Sequence, residues 1–316
     1  MRAAFASTIN ADDPLAALTI GEQPEPVHEE DDWVTVEVKA SSLNHHDLWS
    51  LRGVGLPAER LPMILGCDAA GIDEAGREVV VYPVIFDPKD PRGFSLLSER
   101  LPGTLAERVA VPRANLVPKP AGVSFAEAAC LPTAWLTAYR MLTAKGRVAE
   151  ADSVLVQGAG GGVATAAVIL ARGLGKRVYA TSRDPAKRER IAQLGAIAVE
   201  PGARLPERVE VVIETVGEAT FDHSLKCAAM GARIVVSGAT SGNLATVDLR
   251  RVFALQLEIV GSSMGTPDEL AALLDLVADG VKPVIDTELG FSEVRQAFEQ
   301  LHAGNVFGKI VLDHTR

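Results

Sequence analysis

Ser153-Val-Leu-Val-Gln157-Gly158-Ala-Gly160-Gly161-Gly162-Val163-Ala-Thr-Ala-Ala-Val-Ile-Leu170 is the stretch that decides how this chain is read. Val154, Leu155 and Val156 form a short apolar run suited to a strand buried on both faces. Four of the next six residues are glycines, which strip β-carbons from the turn that follows. From Val163 to Leu170 the residues are small or aliphatic and continue as a helix, so the turn sits at a helix N-terminus, where free N–H groups attract phosphate. Written as Ala159-x-Gly161-x-x-Ala164, it fits the dinucleotide fingerprint with alanine at two of three positions. The helix is expected to end near Gly175, with a second strand at Arg177 to Thr181. Strand, turn, helix and strand together make Gly160, Gly161, Gly162 and Val163 the expected pyrophosphate seat.

At the end of that second strand an NAD-type site expects an acidic residue for the ribose 2′-hydroxyl. Here the residues are Thr181-Ser182-Arg183, with Lys187 following. Asp184 and Pro185 read as the N-cap and first residue of the next helix, which places Lys187 in its first turn. NADPH is therefore expected over NADH, with Ser182, Arg183 and Lys187 facing the 2′-phosphate. A solvated helix start is the alternative for the two cations.

Outward from this stretch, 316 residues are enough for two domains of ordinary size, and 47% apolar with 23% charged residues is a globular composition. The net charge is 31 − 41 = −10, which argues against nucleic acid or an anionic membrane as the main partner. The N-terminus lacks the apolar core of a signal peptide, and no apolar run approaches the roughly 20 residues of a membrane span, so a cytoplasmic protein is expected. Cys67, Cys130 and Cys227 are scattered without a Cys-x-x-Cys pair, as reduced thiols would be.

The first 120 or so residues read as strand and turn: Val34, Val36 and Val38 alternate with Thr35, Glu37 and Lys39, and Glu78 to Tyr82 and Arg108 to Val111 are further short strands. Asp87 to Pro102, rich in Pro, Asp, Arg and Ser, reads as an exposed loop. Ser124 is an expected N-cap before Phe125 to Cys130, and Thr133 to Leu142 continues as a helix ending near Gly146. Strands at Val209 to Glu214, Arg233 to Ser237 and Glu258 to Ser262, with a helix from about Ala219 to Ala229, imply an α/β fold with a doubly wound parallel sheet. A helix after Pro267, another after Ser292 capped near Gly304, and a strand at Lys309 to Leu312 close the chain. The last sheet strand, near Glu258, carries few charges at an edge, which predicts a homodimer or homotetramer.

Asn44-His45-His46-Asp47, Leu65-Gly-Cys67-Asp68-Ala-Ala-Gly71, Thr133-Ala-Trp-Leu-Thr-Ala-Tyr139, the glycine turn, Gly261-Ser-Ser-Met-Gly265 and Gly308-Lys309-Ile-Val-Leu312 occur in the order found in medium-chain dehydrogenases/reductases. The chain resembles their zinc-free, quinone-oxidoreductase branch over nearly its whole length. The resemblance implies a GroES-like β-rich catalytic domain from residues 1–122 and 266–316, a Rossmann NADP-binding domain from residues 123–265, and substrate between them. Zinc-dependent relatives place cysteine at the position of Asn44, a His-Glu pair at Cys67-Asp68, and cysteine or histidine at Thr133. Zinc needs three ligands of the Cys, His or carboxylate kind, so no metal is expected; a site improvised from His46, Cys67 and Asp68 is the alternative.

By the same resemblance Asn44 holds a carbonyl or the cofactor ribose, and His46 stands where a proton-relay hydroxyl is placed. His45 stands where a basic residue reaches the cofactor phosphates, Lys309 where a cation meets the pyrophosphate, and Thr133 joins the cofactor contacts. Two histidines merely ordering a loop is the competing reading. Gly238, Ala239 and Thr240 follow a strand end and would face the nicotinamide, because ligands bind outside the carboxyl ends of such strands. Asp47 reads as an acceptor for backbone N–H groups, and Cys67 as a small buried residue with no base identifiable beside it. The implied activity is NADPH-dependent, metal-free hydride transfer to a quinone or α,β-unsaturated carbonyl. Reduction of enoyl thioesters or simple carbonyls, as in alcohol dehydrogenases, and non-catalytic NADPH binding are the alternatives. Proton delivery by His46 predicts a pH dependence near its ordinary value of about 6.5.

Overall fold

The computed structural model describes all residues except 29–31, 89 and 91. The chain divides into two compact units, residues 134–265 and residues 1–133 with 266–316.

In the 134–265 unit the sheet is six-stranded and parallel. Its order is Ile197–Val199, Arg177–Thr181, Ser153–Val156, Val209–Glu214, Ala228–Val236 and Glu258–Gly261. Chain order reverses between Ser153–Val156 and Val209–Glu214, so the carboxyl ends of those two strands form the switch point where such sheets bind ligands. Val154, Leu155 and Val156 are fully buried. Helices Gly162–Gly173, Pro185–Gln193, Phe221–Cys227 and Leu249–Ala254 supply the crossovers that parallel pairing requires. Arg177–Thr181 and Val209–Glu214 have the expected bounds. The expected helix to Ala229 stops at Cys227 because Ala228 already pairs with Val209 across a bulge.

The other unit holds a seven-stranded mixed sheet. Leu116–Pro118, Glu78–Val81, Asp68–Asp73, Trp33–Ser42, Lys309–Asp313 and Ile285–Gly290 are neighbours in that order, and Arg108–Pro112 pairs with the first half of Trp33–Ser42. Val34, Val36 and Val38 point inward while Glu37 stays in solvent, the two-residue period of a sheet with one wet face. Beyond Ala40 the strand is buried on both faces. There Ser42 Oγ lies 2.8 Å from Ala129 O, and helix Phe125–Ala129 packs on the sheet. The compact unit runs to residue 133, whereas the sequence places its bound at 122. Leu43, Leu48, Leu51, Leu65, Phe298 and Leu312 fill the core beneath.

The segment expected as an exposed loop is a structured excursion. Val84–Phe86 and Phe94–Leu96 pair as a hairpin, and Asp90, Ser95, Ser98 and Glu99 are buried. Residues 89 and 91 of that reading lie outside the described residues.

Candidate active site

Strand Trp33–Ser42 delivers Asn44 to the N-cap of helix His45–Leu51, in extended backbone at φ −129° and ψ 157°. Asp47, fully buried in the first turn, accepts Asn44 N through Oδ2 at 2.8 Å and Gly66 N through Oδ1 at 3.0 Å. It is thus the backbone acceptor expected, and it ties the helix to the segment carrying Cys67 and Asp68. Burial pushes its carboxyl up to about 6, against the pull of His46 and the Asn44 N–H.

The Asn44 amide is engaged inside the domain through its oxygen and one of its two hydrogens. Its Nδ2 donates to Asp68 Oδ2 at 2.8 Å, and its Oδ1 accepts from Lys309 Nζ at 2.7 Å. Asp68 Oδ2 also accepts Ser42 Oγ at 2.8 Å and Lys309 Nζ at 3.0 Å, whereas Asp68 Oδ1 is buried with no hydrogen-bond partner. Lys309 donates a third time, to Leu43 O at 2.8 Å, and its side chain is only 2% exposed. An ammonium has three donors. Lys309, which the resemblance places on a pyrophosphate, is instead buried, and all three of its donors have protein acceptors.

His46 belongs to a second cluster. Its Nε2 lies 3.1 Å from Glu99 Oε1, and its Nδ1 lies 3.5 Å from Cys67 Sγ and 3.4 Å from Ser98 Oγ. A base does stand beside Cys67, contrary to the sequence reading, but the thiol donates to Leu97 O at 3.2 Å, and burial pushes it up from its ordinary value despite His46. Burial alone would disfavour the imidazolium; the contact with the Cys67 sulfur, the Glu99 carboxylate and the charge of Asp47 favour it, and His46 is held well above 6.5. Glu99 is the carboxylate in contact with this ring. His46 is therefore placed above the expected titration near 6.5. Sequence reading passed over Ser98 and Glu99 because they sit in a turn-rich segment with no periodicity.

Thr133 lies in a π-helical turn, Leu131–Trp135, with its Oγ1 buried and unpartnered. Such turns recur at functional sites. His45 is exposed at the start of its helix.

In the other unit, Gly158 N donates to Thr181 Oγ1 at 2.9 Å and Ala159 N to Thr181 O at 2.7 Å, which staples the glycine turn to the neighbouring strand. Gly160 adopts φ +135°, a conformation for glycine, and a β-carbon there would sit 2.9 Å from Lys187 Cδ and 3.7 Å from its Nζ. Lys187 thus lies across the turn. Helix Gly162–Gly173 starts from Gly161 without a side-chain cap, so no capping side chain takes its first-turn amides. Ser182 is buried and Arg183 exposed. Asp184 caps helix Pro185–Gln193 by accepting Ala186 N at 2.9 Å. Arg188, which sequence reading did not single out, braces this corner through Ser182 O at 2.8 Å and Glu200 at 3.1 Å. Gly238, Ala239 and Thr240 leave the carboxyl end of Ala228–Val236 and rest on Thr215, with Thr240 N 3.4 Å from Thr215 O. A β-carbon at Gly238 would lie 2.8 Å from the same oxygen.

Two sequence families match the chain: the alcohol dehydrogenase GroES-like domain over residues 30–121 and zinc-binding dehydrogenase over residues 189–312. A zinc-type alcohol dehydrogenase-like protein of Schizosaccharomyces pombe is 31% identical, with 75% of this chain and 71% of that protein covered. The chain belongs to the medium-chain dehydrogenase/reductase superfamily. It is an oxidoreductase. Acryloyl-coenzyme A reductase of Sulfurisphaera tokodaii is 27% identical over 95% of this chain and 97% of its own, and mouse quinone oxidoreductase is 28% identical over 88% of each. Among solved structures, an NAD-dependent alcohol dehydrogenase superposes with a TM-score of 0.88 at 33% identity over 99% of both chains. A 2-octenoyl-CoA carboxylase reductase in complex with NADP and 2-octenoyl-CoA superposes with a TM-score of 0.90 at 25% identity, over 98% of this chain and 87% of that one.

Within this medium-chain dehydrogenase/reductase, no group of three or more His, Cys, Asp or Glu among the described residues is arranged to hold a metal ion. Asn44 and Asp68 enclose the Lys309 ammonium. No helix among the described residues is long and apolar enough to cross a membrane.

Proposed function

We propose that this oxidoreductase uses NADPH, without a metal, to reduce a quinone or an α,β-unsaturated carbonyl. The carrying observation is the Asn44–Lys309–Asp68 cluster: the position fits a poor zinc site, because its amide and carboxylate already surround a fixed ammonium. An acceptor reduced there must be activated by its own conjugation.

Several features of the 134–265 unit fit the dinucleotide. They are the Gly160 turn, the uncapped helix behind it, Lys187 across it, and a second strand that is followed by Ser182-Arg183 instead of an acid. When bound, NADPH would supply the hydride. The amides of Gly161, Gly162 and Val163 would take the pyrophosphate, Arg183 the 2′-phosphate, and Gly238 to Thr240 the nicotinamide side. Asn44 would orient the acceptor or the ribose with the amide hydrogen that Asp68 does not use. His46, ring half-buried and protonated, would give a proton to acceptors that need one.

Enoyl thioesters are a second form of the same acceptor, favoured by the likeness to proteins named acryloyl-coenzyme A reductase. Stopped-flow oxidation of NADPH against quinones, enones and enoyl thioesters tests the proposal. Turnover of at least one conjugated class, retained after exhaustive chelation, is expected. Turnover only of simple alcohols or aldehydes, or loss of activity with a stripped zinc ion, would overturn it.

A further inference from the structure

His46 has a partner on each ring nitrogen, and the two sides are unequal. Nε2 faces a carboxylate at 3.1 Å, whereas Nδ1 meets only Ser98 Oγ at 3.4 Å and Cys67 Sγ at 3.5 Å. We infer that Glu99, steered by Arg92, is a positioning residue that fixes the His46 ring and supplies the counter-charge for its protonated form. The inference rests on the reading of His46 as the proton source and deepens it.

The geometry divides the two Glu99 oxygens between two cations. Oε1 takes His46, and Oε2 takes Arg92 Nη1 at 3.3 Å and Nη2 at 3.2 Å. Arg92 is aimed in turn by buried Asp90, whose Oδ1 lies 3.2 Å from its Nε and whose Oδ2 holds Arg100 at 2.7 Å. The run His46, Glu99, Arg92, Asp90, Arg100 is therefore one alternating chain of charges, and it gives the 84–102 excursion a purpose beyond connecting strands. Glu99 is 9% exposed. Gly55 closes over it: a β-carbon on Gly55, at φ +80°, would fall 2.7 Å from Glu99 Oε1. Only a bare backbone lets the loop shelter the carboxylate without displacing it.

The other titratable groups facing His46 are Asp47, on its own helix, and Cys67. Asp47 is spent on two backbone amides, and the Cys67 thiol stays protonated. Glu99, although burial opposes it, is held below its ordinary range by His46 and Arg92, so it remains a carboxylate through neutral pH. The counter-charge is thus Glu99's.

The consequence is directional. With Nε2–H engaged by Glu99, the proton free to leave is the loosely held one on Nδ1. In enone reduction a C–H bond of bound NADPH would break, leaving NADP+; the hydride would bond to the β-carbon with its electron pair, the alkene pair would move to join the α-carbon and the carbonyl carbon, and the carbonyl π pair would move to the oxygen. The Nδ1 proton then bonds to the α-carbon or that oxygen, leaving neutral His46 still donating Nε2–H to Glu99. Solvent returns the proton afterwards. An unpaired imidazole in the same half-buried place would be mostly neutral at pH 7 and could not supply it.

The test is NMR titration of His46 in histidine-labelled protein, together with pH–rate profiles for an enone and a quinone. In the unaltered protein His46 should titrate above 6.5. Glu99→Gln should move that titration down by about one pH unit or more and lower the enone-to-quinone rate ratio about tenfold above pH 7, since one unit is a tenfold change in protonated fraction. Arg92→Gln, which leaves Glu99 in place, should give a smaller shift of the same sign and guards against misfolding of Glu99→Gln. An unmoved His46 titration in both variants overturns the inference. A moved titration with an unchanged rate ratio upholds Glu99's role and overturns His46 as the proton source.

Discussion

Lys309 Nζ lies 2.7 Å from Asn44 Oδ1, although the two residues are 265 positions apart in sequence. Because lysine only donates and a carboxylate only accepts, Lys309 on one side and Asp68 on the other leave the Asn44 amide a single orientation. The last strand of the chain therefore sets the direction in which a residue at its beginning presents its remaining amide hydrogen.

Breaking this pair should be costly. Lys309→Met leaves a buried carboxylate without its ammonium and is expected to destabilise the protein by about 3–5 kcal/mol, as uncompensated buried charges do. Lys309→Met combined with Asp68→Asn should recover much of that loss. Urea unfolding of the three variants checks this; additive losses in the double variant would show that the two residues do not act as a pair.

How much of this was legible in the sequence depended on distance along the chain. Arg177–Thr181, the Asp184 cap and the glycine turn could be read because each rests on neighbours within a few residues: an apolar run, a short polar side chain before proline, missing β-carbons. The expected helix through Thr133 became two π-helical turns around a short α-helical one, and Pro132, with no N–H to close a regular turn, sits in the first of them. The Asn44–Lys309 contact and the Glu99–His46 pair had no local signature at all. Each depends on strand pairing or on a hairpin excursion that brings distant residues together, and composition marked the latter only as a loop.

Cofactor preference should rest on Arg183. One lost charge-assisted contact costs about 1.5–3 kcal/mol, so Arg183→Ala is expected to raise the NADPH dissociation constant roughly tenfold to a hundredfold and leave that for NADH nearly unchanged. Fluorescence titration with both cofactors decides it. An equal loss for the two would show that Arg183 does not read the 2′-phosphate.

The edge of the parallel sheet predicts self-association. Strand Glu258–Gly261 has no strand beyond it among the described residues, Ile259 on it is 44% exposed, and Phe253 on the preceding helix is 72% exposed. Natural proteins cover such edges, and a second copy of this chain is the expected cover. Light scattering should give at least twice the mass of one chain, reduced by Phe253→Asp. The mass of a single chain at micromolar concentration would count against it.

Acid should loosen the C-terminus. His314 accepts a place between Ser41 Oγ, 2.8 Å from its Nε2, and the Phe291 ring, 4.3 Å between centroids. Burial, opposed by Asp313, lowers it to about 3. The unfolded chain therefore takes up this proton first, near 6.5, and the contribution of His314 is complete above that pH and is lost as pH falls from 6.5 toward 3. The urea midpoint should drop further between pH 7 and pH 5 in the unaltered protein than in His314→Gln; equal drops would assign the loss to other groups.

Asn44 and His46 should act at different steps. Asn44→Ala removes the group that orients the acceptor or ribose, so the hydride-transfer rate itself should fall for every acceptor. His46 matters only where a proton must follow the hydride. A hydroquinone takes its proton from water, whereas an enone needs one delivered to carbon or oxygen, so His46→Ala should spare quinone reduction and slow enone reduction. Because the ring is held well above 6.5 despite its burial, by the Cys67 contact, Glu99 and Asp47, enone reduction in the unaltered protein should stay level through neutral pH and decline only at higher pH, as the ring loses its proton. In His46→Ala that decline should vanish. Pre-steady-state rates for both acceptors across pH 6 to 9 separate the roles: if quinone and enone respond alike to His46→Ala, the ring only orders its loop, and protons come from solvent.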